Sequence, residues 1–105
     1  MSAPRHVLLA CAVAAVQSND ALGYFNPAVV AAPLSVILKR PVEIATFNAH
    51  LSDFCQDKRG SVLERAGEPR AYRFRFQDPM VVPFVFMDAL AKGLLDEAGL
   101  ASMLK

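Results

Sequence analysis

The sequence predicts an α+β fold, a set of short helices around a small β-ribbon, and three observations carry that expectation. Ile44, Phe47, Leu51, Phe54 and Cys55 recur at three- and four-residue steps and so draw one apolar stripe along a helix, with Thr46, Asn48, Ala49, Ser52 and Asp53 facing away from it. Arg70 to Phe76 instead alternates with period two, Tyr72, Phe74 and Phe76 on one face and Ala71, Arg73 and Arg75 on the other, as a half-buried strand requires. Finally, Asn26-Pro27 and Asp78-Pro79 are two copies of one helix-start signal, a side chain that accepts an orphan amide followed by a residue preset for the first turn.

Taken in order, the chain opens with a helix from about Pro4 to Gln17, stopped by the polar cluster Gln17-Ser18-Asn19-Asp20. Residues 1–18 imitate a secretory signal, with Arg5 ahead of an apolar run and a lipobox-like Leu8-Leu9-Ala10-Cys11. The apolar run before Cys11 is short for that purpose, and the segment reads better as an amphipathic helix burying Leu8, Leu9, Ala12, Val13 and Val16. It is also too short to span a bilayer. Ala21 to Phe25 is a short extended piece whose aromatics cap the core, and Asn26-Pro27 starts a second helix through Val29, Val30, Leu34, Ile37 and Leu38. Pro33 inside it deletes one backbone hydrogen bond and predicts a kink or break. Pro41 ends that helix, and the third follows.

Gly60 stops the third helix. Ser61 to Glu64, a reversal at Ala66-Gly67-Glu68-Pro69 and Arg70 to Phe76 then form a hairpin. A further helix runs from about Pro79 to Lys92 with Gly93 as its stop, and residues 94–105 add a short terminal helix with Asp96 and Glu97 near its start.

Composition sets bounds on this reading. At 105 residues, 54% hydrophobic and 20% charged, the chain suits one domain with its own core, about 4–77, and a helical extension over about 79–105. A net charge of +1 lacks the basic excess of a dedicated nucleic-acid binder, so only local clustering argues for that function. Two cysteines, both on apolar helical stripes, suit reduced buried thiols and a cytoplasmic setting.

The order helix, short strand, helix, helix, strand, strand, helix, with a basic outer face on the hairpin, resembles a winged helix-turn-helix: a three-helix core, a β-hairpin wing and additional C-terminal helices. Gly23-Tyr24-Phe25-Asn26-Pro27 and Tyr72-Arg73-Phe74-Arg75-Phe76-Gln77-Asp78-Pro79 are similar to the winged-helix domain at the C-terminal end of AAA+ and STAND-type ATPases of the origin-recognition kind. The resemblance implies a third strand near Phe25 paired with the hairpin, and a module belonging to a larger ATPase. No phosphate-binding Gly-x-x-x-x-Gly-Lys motif occurs here, so no nucleotide cofactor is expected.

A helix of this kind presents its outward residues to base edges, and Thr46, Asn48 and Ser52 have suitable donors and acceptors for double-stranded DNA. Arg40, Lys58, Arg59, Arg73 and Arg75 would hold phosphates, while Asp53 and Asp57 oppose them. The alternative is a protein-docking or dimerisation adaptor in which these polar residues merely solvate a helix and a hairpin. Met80-Val81-Val82-Pro83-Phe84-Val85-Phe86-Met87 is apolar all round. With Val82, Val85 and Phe86 on the core, Met80, Val81, Phe84 and Met87 await a partner, a second copy or the parent ATPase, unless Leu95, Leu100 and Leu104 fold back over them.

Catalysis and metal binding find little support. His6 and His50 have no evident nucleophile partner, and the pairs His6/Cys11 and His50/Cys55 are spaced so that a helix turns them off one face. No enzyme activity is expected.

Overall fold

Among the residues that the computed structural model describes, 4–18, 22–56, 62–68 and 71–103, five helices and two strands follow one another. They are α1 (Pro4–Gln17), α2 (Ala28–Leu38), α3 (Ile44–Phe54), β1 (Leu63–Ala66), β2 (Arg73–Phe76), α4 (Val81–Ala91) and α5 (Glu97–Met103). This is an α+β architecture with one antiparallel ribbon, and no helix among the described residues is long and apolar enough to cross a membrane.

The helix starts follow the capping chemistry. The Asn26 carboxamide oxygen accepts the Ala28 N–H at 2.8 Å, and Asp78 Oδ1 accepts the Met80 N–H at 2.9 Å. At α5 the Asp96 carboxylate takes the Gly99 N–H at 2.6 Å. Pro33 does not break α2, which runs on to Leu38 with Pro33 itself buried. The chain leaves α2 through Lys39, a non-glycine residue in the left-handed region at φ 58°. Ser35 then fastens the exit: its hydroxyl donates to Ala31 O at 2.7 Å and accepts the Val42 N–H at 3.1 Å, aiming the chain into α3.

In the ribbon, Leu63 stands opposite Phe76, Glu64 opposite Arg75, Arg65 opposite Phe74 and Ala66 opposite Arg73. β2 begins only at Arg73, without the Ala71 and Tyr72 that the alternation includes, and β1 runs on through Ala66, which the sequence placed in the reversal. Gly67 leaves β1 at φ +93°, and a Cβ there would lie 2.6 Å from the Ala71 carbonyl oxygen, so the turn requires glycine. Gly60 lies outside the described residues. On the other edge of β2, Phe25 exchanges two backbone hydrogen bonds of 2.8 Å with Phe74. A single bridge therefore stands where a third strand was expected near Phe25, and the sheet itself has two strands.

The core lies between α1, α2, α3, α4 and the inner face of the ribbon. Phe47, Leu51, Phe54, Phe74 and Phe76 are all buried, with Tyr72 at their margin. Ile44, expected on the same stripe, is 40% exposed because it occupies the first position of α3 beside an open groove. The larger departure is α1. It is covered on nearly every side from Val7 to Ala14 and packs against α2, α3 and α4, whereas Val16, expected inside, is 51% exposed. Ala10, Cys11, Ala12 and Ala14 are small enough to let neighbouring helices approach from several directions, and a helix apolar all round is stable only when so enclosed.

Enclosure also sets the chemistry of Cys11. Burial drives its thiol pKa far above the ordinary value, with a smaller contribution from Cys55, whose own thiol is raised by burial first. A folded-state pKa above the unfolded one contributes stability that is complete below the unfolded value and lost as pH rises past it. Above about pH 9, where an exposed thiol ionises, the unfolded chain releases a proton that folded Cys11 retains. The wild-type protein should therefore lose about 1 kcal/mol more than Cys11→Ala between pH 9 and pH 10. Urea midpoints at the two pH values measure the difference, and parallel changes would show that Cys11 ionises freely in the fold.

Candidate nucleic-acid interface

The hydrogen-bonding side of α3 and the hairpin meet at a half-open groove of about 500 Å³, lined by Asn26, Pro27, Ala28, Ile44, Asn48, Ala71, Tyr72 and Arg73. Three elements place these groups together. Asn48 is exposed on α3, one turn before the half-buried Ser52. The start of α2, capped by Asn26, forms the second wall. Arg73, the first residue of β2, forms the third. Of the residues expected to contact DNA, Asn48 and Arg73 thus share one concavity. Arg40 is exposed just past the C-terminal end of α2. Lys58 and Arg59 lie outside the described residues, as does the side chain of Thr46.

Arg75 has a different setting from the one its outward position suggests. It forms a cross-strand ion pair with Glu64, directly opposite in the ribbon. Its guanidinium also lies 4.8 Å from the centre of the Tyr24 ring and donates to the Leu22 carbonyl at 3.2 Å. These contacts fasten the hairpin to the segment ahead of α2, so Arg75 positions the hairpin and has little of its fork left for a phosphate. Arg73 lies over the same Tyr24 ring at 5.3 Å and remains exposed, near enough to the groove to reach a ligand.

Sequence reasoning missed the two tyrosines. Tyr24 reads as a core cap and Tyr72 as a core residue, yet Tyr24 supports two arginines and Tyr72 is only partly buried beneath Arg65, whose guanidinium sits 4.3 Å above its ring. The register holds the missing signal. Pairing Arg65 with Phe74 puts Arg65 on the face that carries Tyr72, as its diagonal neighbour.

The second expected surface is the outer side of α4. Met80, Phe84 and Met87 are 68%, 67% and 63% exposed. Val81, assigned to that surface from the sequence, is partly buried against the core, because one residue turns a helix by about 100° and moves Val81 off the stripe. Val82, Val85 and Phe86 rest on the core as expected, and so do Leu94 and Leu95. Cys11 and Cys55 are both free thiols, and among the described residues no three His, Cys, Asp or Glu side chains gather as metal ligands would. No family model, curated protein or solved structure matches the chain.

Proposed function

We propose that this chain is a winged helix-turn-helix module that binds double-stranded DNA through α3 and the hairpin, as a regulatory or C-terminal domain of a larger ATPase. The observation that carries the reading is the meeting of Asn48, Arg73 and the α2 start in one groove. Asn48, with Thr46 and Ser52 on the same helix, supplies base-edge hydrogen bonds, since a carboxamide can bridge two positions on adenine. Arg73 and Arg40 hold the flanking phosphates, and Lys58 and Arg59 extend that track. Arg75 keeps the wing in place through Glu64, Tyr24 and Leu22. The ATPase context draws support from the Phe25 to Phe74 bridge, which joins the two segments that carry the resemblance. We assign the chain no catalytic role.

Titrating a labelled duplex at 50 and 200 mM salt tests the proposal. Release of counterions from two to four phosphates predicts roughly a 10- to 150-fold loss of affinity over that range. Arg73→Glu should weaken binding further at low salt, whereas Asn48→Ala should cost affinity without changing the salt slope. Absence of binding at 50 mM salt would leave the competing reading, a protein-docking adaptor, which the exposed α4 stripe and the net charge of +1 favour.

A further inference from the structure

The outer face of β2 carries two arginines, and one tyrosine ring serves both. Phe25 and Phe74 face each other across the antiparallel bridge, and both are buried. Side chains alternate along extended backbone, so the residue before Phe25 meets the residue after Phe74 on the opposite face. Tyr24 therefore comes up beside Arg75, with Arg73 two residues away on the same side of the strand. The guanidinium carbons of Arg75 and Arg73 stand 4.8 and 5.3 Å from the ring centre. Contacts on both sides fix the ring's place: the Tyr24 carbonyl accepts the Ser18 hydroxyl at 2.7 Å, and Phe25 is held by its two bonds to Phe74.

The two arginines differ in what else they hold. Arg75 pairs with Glu64 and donates to the Leu22 carbonyl, so contacts besides the ring tie it to the fold. Arg73 is exposed and borders the groove between α3 and the start of α2, where it is the one charged residue among the described residues that line it. The amides at the α2 start offer a phosphate no substitute. The Ala28 N–H is taken by the Asn26 side chain, the Val29 N–H by the Asn26 carbonyl and the Val30 N–H by the Pro27 carbonyl. The charge that a phosphate meets in the groove is thus that of Arg73, a long side chain whose ordering costs binding energy unless it is already in place. A guanidinium that rests its face on a ring does not spend the N–H groups along its edge, and those are the groups that grip a phosphate.

We propose that Tyr24 is a positioning residue for DNA binding: its ring holds the Arg73 guanidinium at the rim of the groove, prearranged for one backbone phosphate. The proposal rests on the reading of that groove as a DNA interface. Prearranging one side chain removes part of its ordering cost, so loss of the ring should weaken duplex binding about two- to ten-fold. The number of phosphates contacted does not change, so the salt slope should stay that of the wild type.

A double-mutant cycle in duplex binding at 50 mM salt tests the coupling. Tyr24→Leu should show that loss, whereas Tyr24→Phe, which keeps a ring, should bind within about two-fold of the wild type. In an Arg73→Ala background, Tyr24→Leu should have no further effect. A measurement on the wild type alone covers the case in which Tyr24→Leu does not fold: in nuclear magnetic resonance, the Arg73 side-chain protons should be shifted upfield by the ring in the free protein and stay so when duplex is added. Unshifted Arg73 protons overturn the proposal. Equal losses from Tyr24→Leu in both backgrounds overturn it too, because the ring would then act through the hairpin and not through Arg73. Wild-type binding that Tyr24→Leu leaves unchanged removes the positioning role and keeps the DNA reading; absence of wild-type binding removes both.

Discussion

Phe74→Ala is expected to lower the unfolding free energy by about 3–5 kcal/mol, the range for emptying a buried aromatic site. Phe74 is 1% exposed and belongs to the same cluster as Phe47, Leu51 and Leu63. Its ring centre lies 6.5 Å from that of Phe25, across the backbone bridge that joins the two residues. Alanine keeps the backbone bonds, so the loss is one of packing: dispersion contacts disappear, and a cavity opens in the core cluster. Against a typical domain stability of about 5–15 kcal/mol, this is enough to leave a marginal protein partly unfolded at 37 °C. Phe84→Ala is the matched control, since a residue 67% exposed should change stability by less than about 0.5 kcal/mol in the monomer. Urea denaturation followed by circular dichroism compares the two. A loss below about 1 kcal/mol for Phe74→Ala would remove the ring from the centre of the core.

Ala12→Glu should be comparably severe for a different reason. Ala12 is fully buried in α1, and no polar or charged side chain is buried in the core among the described residues. An introduced carboxylate would be desolvated with no partner, at a cost of about 3–5 kcal/mol, on top of the strain of fitting its bulk. Ala12→Gly, which removes volume and adds backbone freedom, should cost only about 1 kcal/mol. The charge component can be isolated by pH. Burial raises the acid's folded pKa above its unfolded value, so the penalty is absent below about pH 4 and grows above it. If Ala12→Glu is as stable as Ala12→Gly at pH 7, α1 presents that position to water and the enclosed-helix description fails.

Those two residues mark the limits of what could be read from the chain. Phe74 was legible: alternation assigned it with Phe76 to the inner face of a strand, and both are buried. The periodic stripe of α3 likewise placed Phe47, Leu51 and Phe54 inside. Ala12 was legible too, on the buried side of α1, but the same amphipathic reading put Val16, which is exposed, inside and left out Ala10 and Ala14, which are buried. Small residues carry a weak hydrophobic signal, and whether a helix is enclosed depends on how many neighbours come close enough to use the space. Pro33 shows a similar limit: the lost hydrogen bond was evident, but α2 continues through it because the proline is itself packed into the core.

At the candidate site the residue types were legible and their partners were not. Arg75 stood among the phosphate contacts because alternation faces it outward. Glu64 opposite it, the Tyr24 ring beneath it and the Leu22 carbonyl beside it arise only once the ribbon has its register and the segment before α2 is docked on β2. Asn48 and Arg73 share a groove for the same reason.

The sequence by itself determined the order of helices and strands, their capped starts and the inward-facing aromatics, because each depends on side-chain chemistry repeated within a turn or a strand pair. Only the tertiary structure decided that α1 is enclosed, that Arg75 is bound within the fold while Arg73 borders the groove, and that the α4 stripe stays uncovered. Those outcomes join residues far apart in the chain, and such contacts depend on how whole elements pack, which local periodicity does not encode.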